Sequence, residues 1–250
     1  MEATLYAIPG SHPSWAVRKM LELKGIDYKR VDLMPVVSRG VLRAMRFPGV
    51  TIPSLRLDGR KLTGSREISR ALDEARPDPP LFPADEVARA RVEEAERWGE
   101  SVLSDGIRRI LWNAARRDRS ALRGYLEGAR IGLPHGVAVA TAAPFIAMEE
   151  RIHGSNDPRV KEDLASLPGW LNQVDGWIAE GVLGGDAPNA ADLQIAAALA
   201  LAMTLDDLRP AIEARPAGRL AGRLMPEFPG KLAPVLPADW LEPLRQPAAA

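Results

Sequence analysis

"VTIPSLRLDGRKLTGS", residues 50–65, reads as two short strands followed by the start of a helix. Leu55 and Leu57 alternate with Ser54 and Arg56, Asp58-Gly59 is a two-residue hairpin signal, and Leu62 sits on the returning strand. After Ser65, Ile68 and Leu72 mark the inner face of a helix that stops at "RPDPPLFP" (76–83). Toward the amino terminus, "YKRVDL" (28–33) reads as a strand, and so does "TLYAI" (4–8), which Pro9-Gly10 breaks. Between those two lies "GSHPSWAVRKML" (10–21), where Val17, Met20 and Leu21 take helical spacing from Ser14 and Lys24-Gly25 supplies the stop. The order is β-α-β-α-β-β-α within about 80 residues, the second helix, after Pro35, being the least marked.

Beyond Pro83 the strand signals thin out. Residues 85–117 carry Val92, Ala95, Trp98, Val102 and Leu103 on one side, continued by Ile107, Ile110 and Leu111 after Gly106. Further helices are expected at 119–130 and 136–153, separated by "IGLP", and again through Trp170, Val174, Trp177 and Ile178. "APNAADLQIAAALALAMTL" (187–205) is apolar almost all round, as a helix at the centre of a bundle must be. Asn189 and Asp192 have the spacing of a capping box at its start. The proline-rich tail from Arg215 onward is expected to wrap the surface. An α/β unit at 1–80 and an all-helical unit at 85–250 follow, with "PDPPLFPADE" between them.

With 46% hydrophobic and 26% charged residues among 250, the chain can bury a core. The formal charge is +0, yet residues 1–84 hold 14 Lys/Arg against 9 Asp/Glu and the remainder 19 against 24. A mildly basic first part favours small anionic ligands over nucleic acid. The absence of cysteine excludes disulfides, thiolate metal ligands and a cysteine nucleophile, so any reactive thiol comes from outside. His12, His135 and His153 lack the spacing of a metal site, and no metal is expected. "MEATLYAIPG" has no basic leader region, and Asp192 and Gln194 interrupt the most apolar run, which leads to an expectation of a cytoplasmic protein without a membrane span.

Ser11 and Ser14 bracket His12-Pro13 where a strand gives way to a helix. Two readings stand side by side: serine is a preferred helix cap, and a hydroxyl at a helix amino terminus can serve an anion held there. His12 reads as an exposed loop residue, and Tyr6, within "TLYAI", as a core residue with its hydroxyl as a secondary candidate.

The short strand, S-x-P-S opening a V-R-x-M-L helix, "GIDYKRVDL", I-P-S-L, the D-G hairpin, G-S-R-x-I and "PPLFPAD" together resemble the thioredoxin-fold amino-terminal domain of the cytosolic glutathione transferases. "PNAADLQIAAAL" is similar to the buried capping-box helix of their all-α domain, whereas residues 119–165 and the tail match poorly. The fold implied is an α/β thioredoxin-like domain followed by an all-α domain. The resemblance implies that Ser11 stabilises the thiolate of bound glutathione, or of another low-molecular-weight thiol, by donating to its sulfur. Ser14, at the place of the second cysteine of redox motifs, faces inward and caps or packs. The resemblance makes Pro53 a cis-proline that lets Ile52 pair with an extended ligand, and makes Ser65, with Arg66 beside it, the holder of the γ-glutamyl carboxylate. Gly64 departs from the family's usual Glu or Gln. Arg39, Arg43 and Arg46 lie where the family gathers cations, or on a solvated helix face. The implied activity is thiol-dependent transfer or isomerisation, with an apolar electrophile against Trp15, Trp98 or Trp112 and an isologous homodimer. The alternative is a non-catalytic module of the same fold that binds a small anion, a peptide or a protein.

Overall fold

The computed structural model describes all residues except 131, 133 and 246–250. Its sheet has four strands, β1 (Ala3–Ala7), β2 (Tyr28–Asp32), β3 (Ser54–Leu57) and β4 (Arg60–Thr63), in the order β2-β1-β3-β4. β1 runs parallel to β2 and antiparallel to β3, and β3 and β4 form the Asp58-Gly59 hairpin. Every residue of β1 is buried, as befits a central strand covered on both faces.

Helices α1 (His12–Leu23) and α3 (Ser65–Ala75) lie against one part of the core, and Val17, Met20, Leu21, Ile68 and Leu72 are fully buried there. α2 (Pro35–Ala44) is a regular helix with Pro35 in its first turn, where a missing N–H costs nothing. It covers a second, smaller core of Tyr6, Leu33, Leu42 and Phe47. Tyr6 meets Phe47 edge to face at 5.3 Å between ring centres and is a core residue.

The helical part comprises α4 (Glu86–Trp98), a π-helical turn (Gly99–Ser104), α5 (Asp105–Arg117), α6 (Leu122–Tyr125), α7 (His135–Ala140), α8 (Ala143–His153), α9 (Asp157–Ala179), α10 (Ala190–Met203), α11 (Arg209–Ile212), α12 (Pro216–Leu224) and α13 (Glu242–Arg245). α10 is the axle: residues 190–202 are all buried. Asn189 and Asp192 close the capping box at its start by reciprocal 3.0 Å hydrogen bonds. Two expectations need correction. Residues 119–130 yield only a short 3₁₀ turn and the single turn of α6, and Gly128, at φ +69°, breaks the run beyond it. The tail does not simply wrap the surface, since α12 inserts Ala217, Leu220 and Ala221 against α10.

The carboxy-terminal end of the α/β unit is tied to α1 by a buried lysine. Lys24, at the end of α1, directs its ammonium to Asp73 Oδ1 (2.7 Å), the Arg76 carbonyl (2.7 Å) and the Pro79 carbonyl (2.6 Å). Three donors meet three acceptors, so a charge with a wholly buried side chain is fully satisfied. Replacing Lys24 with Met leaves Asp73 without its cation and costs about 3–5 kcal/mol of stability in a urea titration. Adding Asp73→Leu to Lys24→Met is expected to recover part of that loss.

Candidate active site

Register brings the predicted site residues to one end of the sheet. Tyr6 of β1 pairs with Ser54 of β3, and Ser54 pairs with Thr63 of β4. The turn at residues 8–11, the Ile52-Pro53 segment and the Gly64-Ser65 corner therefore leave three adjacent strands side by side. The Ile52–Pro53 peptide is cis. Gly64 donates its N–H to the Pro53 carbonyl at 2.9 Å and takes φ +91°, a left-handed conformation in which glycine is at ease. The Ile52 side chain is half-buried, and its N–H and carbonyl have no hydrogen-bond partner among the described residues.

Ser11 occupies the N-cap position of α1 with extended backbone, yet its hydroxyl does not cap the helix. Its N–H donates to the Ile8 carbonyl at 3.1 Å, its own carbonyl accepts from Trp15 at 3.0 Å, and the half-buried side chain is left to other partners. The hydroxyl thus stands at the positive end of a 12-residue helix with its proton uncommitted. Ser14 is different. It is 1% exposed, faces inward, and its hydroxyl has no partner.

Ser65 opens α3, and its hydroxyl is engaged from the helical part, donating to Gln194 Oε1 of α10 at 2.8 Å. Gln194 turns its amide nitrogen to Glu96 Oε1 of α4, which also accepts from Ser69 at 2.9 Å. Arg70 donates to Glu96 Oε2 at 2.6 Å, and Arg66 lies 3.5 Å from both Glu96 and Glu100. Glu96 is wholly buried, so this network of paired charge and amide fixes α3 against α4 and α10. Sequence reasoning found Ser65 and Arg66 but not Glu96 or Gln194. The available signal was a glutamine inside a run of alanines and leucines, where an amide without a buried partner is costly.

His12 is not an exposed loop residue. It is 4% exposed in the first turn of α1, with Nε2 unpartnered. Burial, with Arg108 and His153 nearby, holds its pKa well below the ordinary 6.5, so it does not serve as a cation for a bound anion. Of the tryptophans, Trp15 lines a cleft beside the 8–10 turn. Trp98 instead packs on Trp177 and Trp112 on Phe145 within the helical part. Arg39, Arg43 and Arg46 are exposed and make no ion pair among the described residues.

Segments after α5 close over the same turn. Tyr125 packs so tightly on Gly10 that a Cβ there would lie 2.7 Å from the tyrosine Cβ, and Gly10 also takes φ +73°. Burial pushes the Tyr125 pKa up to about 12, and its hydroxyl pairs with Thr204. Two latches join this segment to β2: Arg30 donates to the Gly128 carbonyl, and the Arg130 N–H donates to Asp32 Oδ2, both at 2.9 Å.

Residues 5–80 match the family model for the glutathione S-transferase N-terminal domain. A glutathione S-transferase from Rhodospirillum rubrum F11 superimposes with a TM-score of 0.59 over 96% of this chain and 99% of its own, at 20% identity. One from Ceriporiopsis subvermispora, solved in complex with glutathione, gives 0.64 over 90% and 96%, at 16% identity. The chain has the glutathione S-transferase fold. Among curated proteins, the probable maleylacetoacetate isomerase of Caenorhabditis elegans is 39% identical over 88 residues, 34% of this chain and 41% of that protein. The mouse maleylacetoacetate isomerase is 38% identical over 107 residues, 41% of this chain and 48% of the mouse protein. The chain thus spans less than half the length of the curated relatives it matches. Within this fold, residues 119–165 and the proline-rich tail are where the sequence resemblance is poor.

The neutral His12 leads to a stability prediction. An unfolded imidazole takes up a proton near pH 6.5, whereas the folded one refuses it until a much lower pH. Its contribution to stability is therefore complete above about pH 6.5 and is lost as pH falls toward the folded value. Thermal unfolding midpoints followed by circular dichroism from about pH 7 to about pH 5 should decline less steeply in His12→Leu than in the wild type.

Proposed function

We propose that this protein is a glutathione-dependent enzyme of the transferase and isomerase type, with isomerisation of a maleylacetoacetate-like substrate as its reaction. The observation that carries the reading is the uncommitted Ser11 hydroxyl at the start of α1, beside an Ile52 backbone whose N–H and carbonyl are both unpaired. The names of the curated relatives supply the reaction class. None of the proteins named above is described as a binding module without activity.

The residues present suit a thiol-bearing peptide. Ile52 offers one donor and one acceptor to an extended backbone, and nothing lies within 4 Å of where a Cβ on Gly64, just before α3, would sit. Because the Ser65 hydroxyl is given to Gln194, the N–H groups at the start of α3 are the donors for a ligand carboxylate in this arrangement. A bound thiol supplies a nucleophilic sulfur that adds reversibly to an electron-poor double bond. Ser11 stabilises that sulfur as its thiolate, aided by the dipole of α1, and takes no covalent part.

Residues 1–80 act in this reading as the thiol-binding unit and 85–250 as the helical unit that completes the second-substrate side. No helix among the described residues is long and apolar enough to cross a membrane. A cytoplasmic homodimer is part of the proposal, supported by the fold family rather than by any contact within the chain.

Ser11→Ala separates binding from activation. Glutathione titrated against tryptophan fluorescence should bind the variant within about threefold of the wild type, while kcat/KM for maleylacetoacetate isomerisation falls about a hundredfold. Unchanged kcat/KM, or no glutathione binding by the wild type, contradicts the reading.

A further inference from the structure

Ser11 ends a four-residue turn, Ile8-Pro9-Gly10-Ser11, closed by the single hydrogen bond from its N–H to the Ile8 carbonyl. Proline at the second position and glycine at the third, here with φ +73°, are the residues a type II turn takes. All four residues are only half-buried, so one hydrogen bond within the turn does not fix where its last residue points. We propose that Tyr125 of the helical part positions the Ser11 hydroxyl by clamping Gly10. This deepens the reading of Ser11 as the thiolate-stabilising group and rests on it for what the positioning serves.

Tyr125 is buried, and it bears on two stretches of backbone that have no side chain to give way. A Cβ on Gly10 would lie 2.7 Å from the tyrosine Cβ and 3.1 Å from its Cδ1, and a Cβ on Gly230 of the tail would run into the ring itself. The far end of the ring is tied as well. Thr204, the C-cap of α10, gives its own proton to the Leu201 carbonyl at 2.6 Å, so its oxygen receives the proton of the Tyr125 hydroxyl. Burial, which pushes the phenol pKa up to about 12, keeps Tyr125 a donor. The base of the side chain thus rests on Gly10 while its tip is anchored to the last turn of the central helix.

The tail shares that anchor. The Leu232 N–H donates to the Thr204 carbonyl at 2.8 Å and the Asp206 N–H to the Leu232 carbonyl at 2.9 Å, which fixes the strand of tail carrying Gly230. Two residues before Gly230, Phe228 meets Trp15 of α1 at 5.5 Å between ring centres. α6 is a single turn, too short to hold a shape alone, and these ties give Tyr125 its rigidity. A hydrogen bond from a hydroxyl to a sulfur depends steeply on alignment, so the clamp on the residue before Ser11 acts directly on the strength of that bond.

Two measurements on the full chain test the assignment: amide hydrogen exchange of residues 8–12 in the free protein, and the thiol pKa of bound glutathione from its thiolate absorbance. Tyr125→Ala should exchange about tenfold faster in that segment and raise the bound thiol by about one pH unit toward the free value, with affinity for S-methylglutathione within about threefold of the wild type. Tyr125→Phe keeps the ring on Gly10 and should match the wild type in both. Leu220→Ala, a cavity on α12 where it packs on α10, lowers stability and should move neither. If Tyr125→Ala does not fold, Tyr125→Leu takes its place. The proposal is overturned by exchange in the folded variant that matches the wild type, by an equal change in Leu220→Ala, or by a thiol pKa that stays in place while exchange quickens. Exchange that quickens only on loss of the Tyr125 ring, in a chain whose wild type binds no glutathione or leaves its thiol near about 8.5, upholds the clamp and overturns the reading of Ser11 instead.

Discussion

The carboxylate of Glu96 is the constraint on which the arrangement of the site depends. It is wholly buried, and both oxygens are used: one accepts from Ser69 and Gln194, the other from Arg70, with Arg66 nearby. A buried charge is tolerable only when its lost hydration is replaced in this way, and removing a single partner leaves the rest exposed to the full desolvation cost. Because its partners sit on α3 and α10, the carboxylate cannot be satisfied unless the α/β unit and the helical part meet in one relative position. That position sets Gln194 of α10 against the Ser65 hydroxyl, at the sheet end where strand register brings Ser11 and Ile52.

The surroundings of Ser11 follow a related logic. A thiolate-stabilising hydroxyl needs its proton free, and the chain achieves this with an N-cap whose backbone conformation is right and whose side chain does not cap. The residue next to it is a histidine held neutral chiefly by burial, with the Arg108 guanidinium nearby. The positive end of α1 and the serine hydroxyl therefore supply the field at the site without help from His12. Tyr125 on Gly10 and the two latches to β2 hold the helical part against the turn that carries Ser11.

Much of this was legible in the sequence where it rests on local rules. The D-G hairpin, the β1 run, the α1 periodicity and the Asn189 and Asp192 spacing each depend on a few neighbouring residues, and the structure forms all of them. Their order was enough to recognise the fold, and strand register then set Ser11, Ile52 and Ser65 at one end of the sheet. What escaped depends on partners distant along the chain. His12 reads as a loop residue until the tertiary fold buries it, Gln194 reads as a blemish in an apolar helix until Glu96 and Ser65 face it, and the proline-rich tail conceals α12 because Pro216 starts that helix instead of breaking it.

The most direct test is the ionisation of the bound thiol, read as thiolate absorbance near 240 nm during a pH titration of the glutathione complex. A hydroxyl donor and a helix amino terminus at the sulfur should bring its pKa below neutrality, from the free-thiol value of about 8.5. A bound thiol that still titrates near about 8.5 contradicts the account.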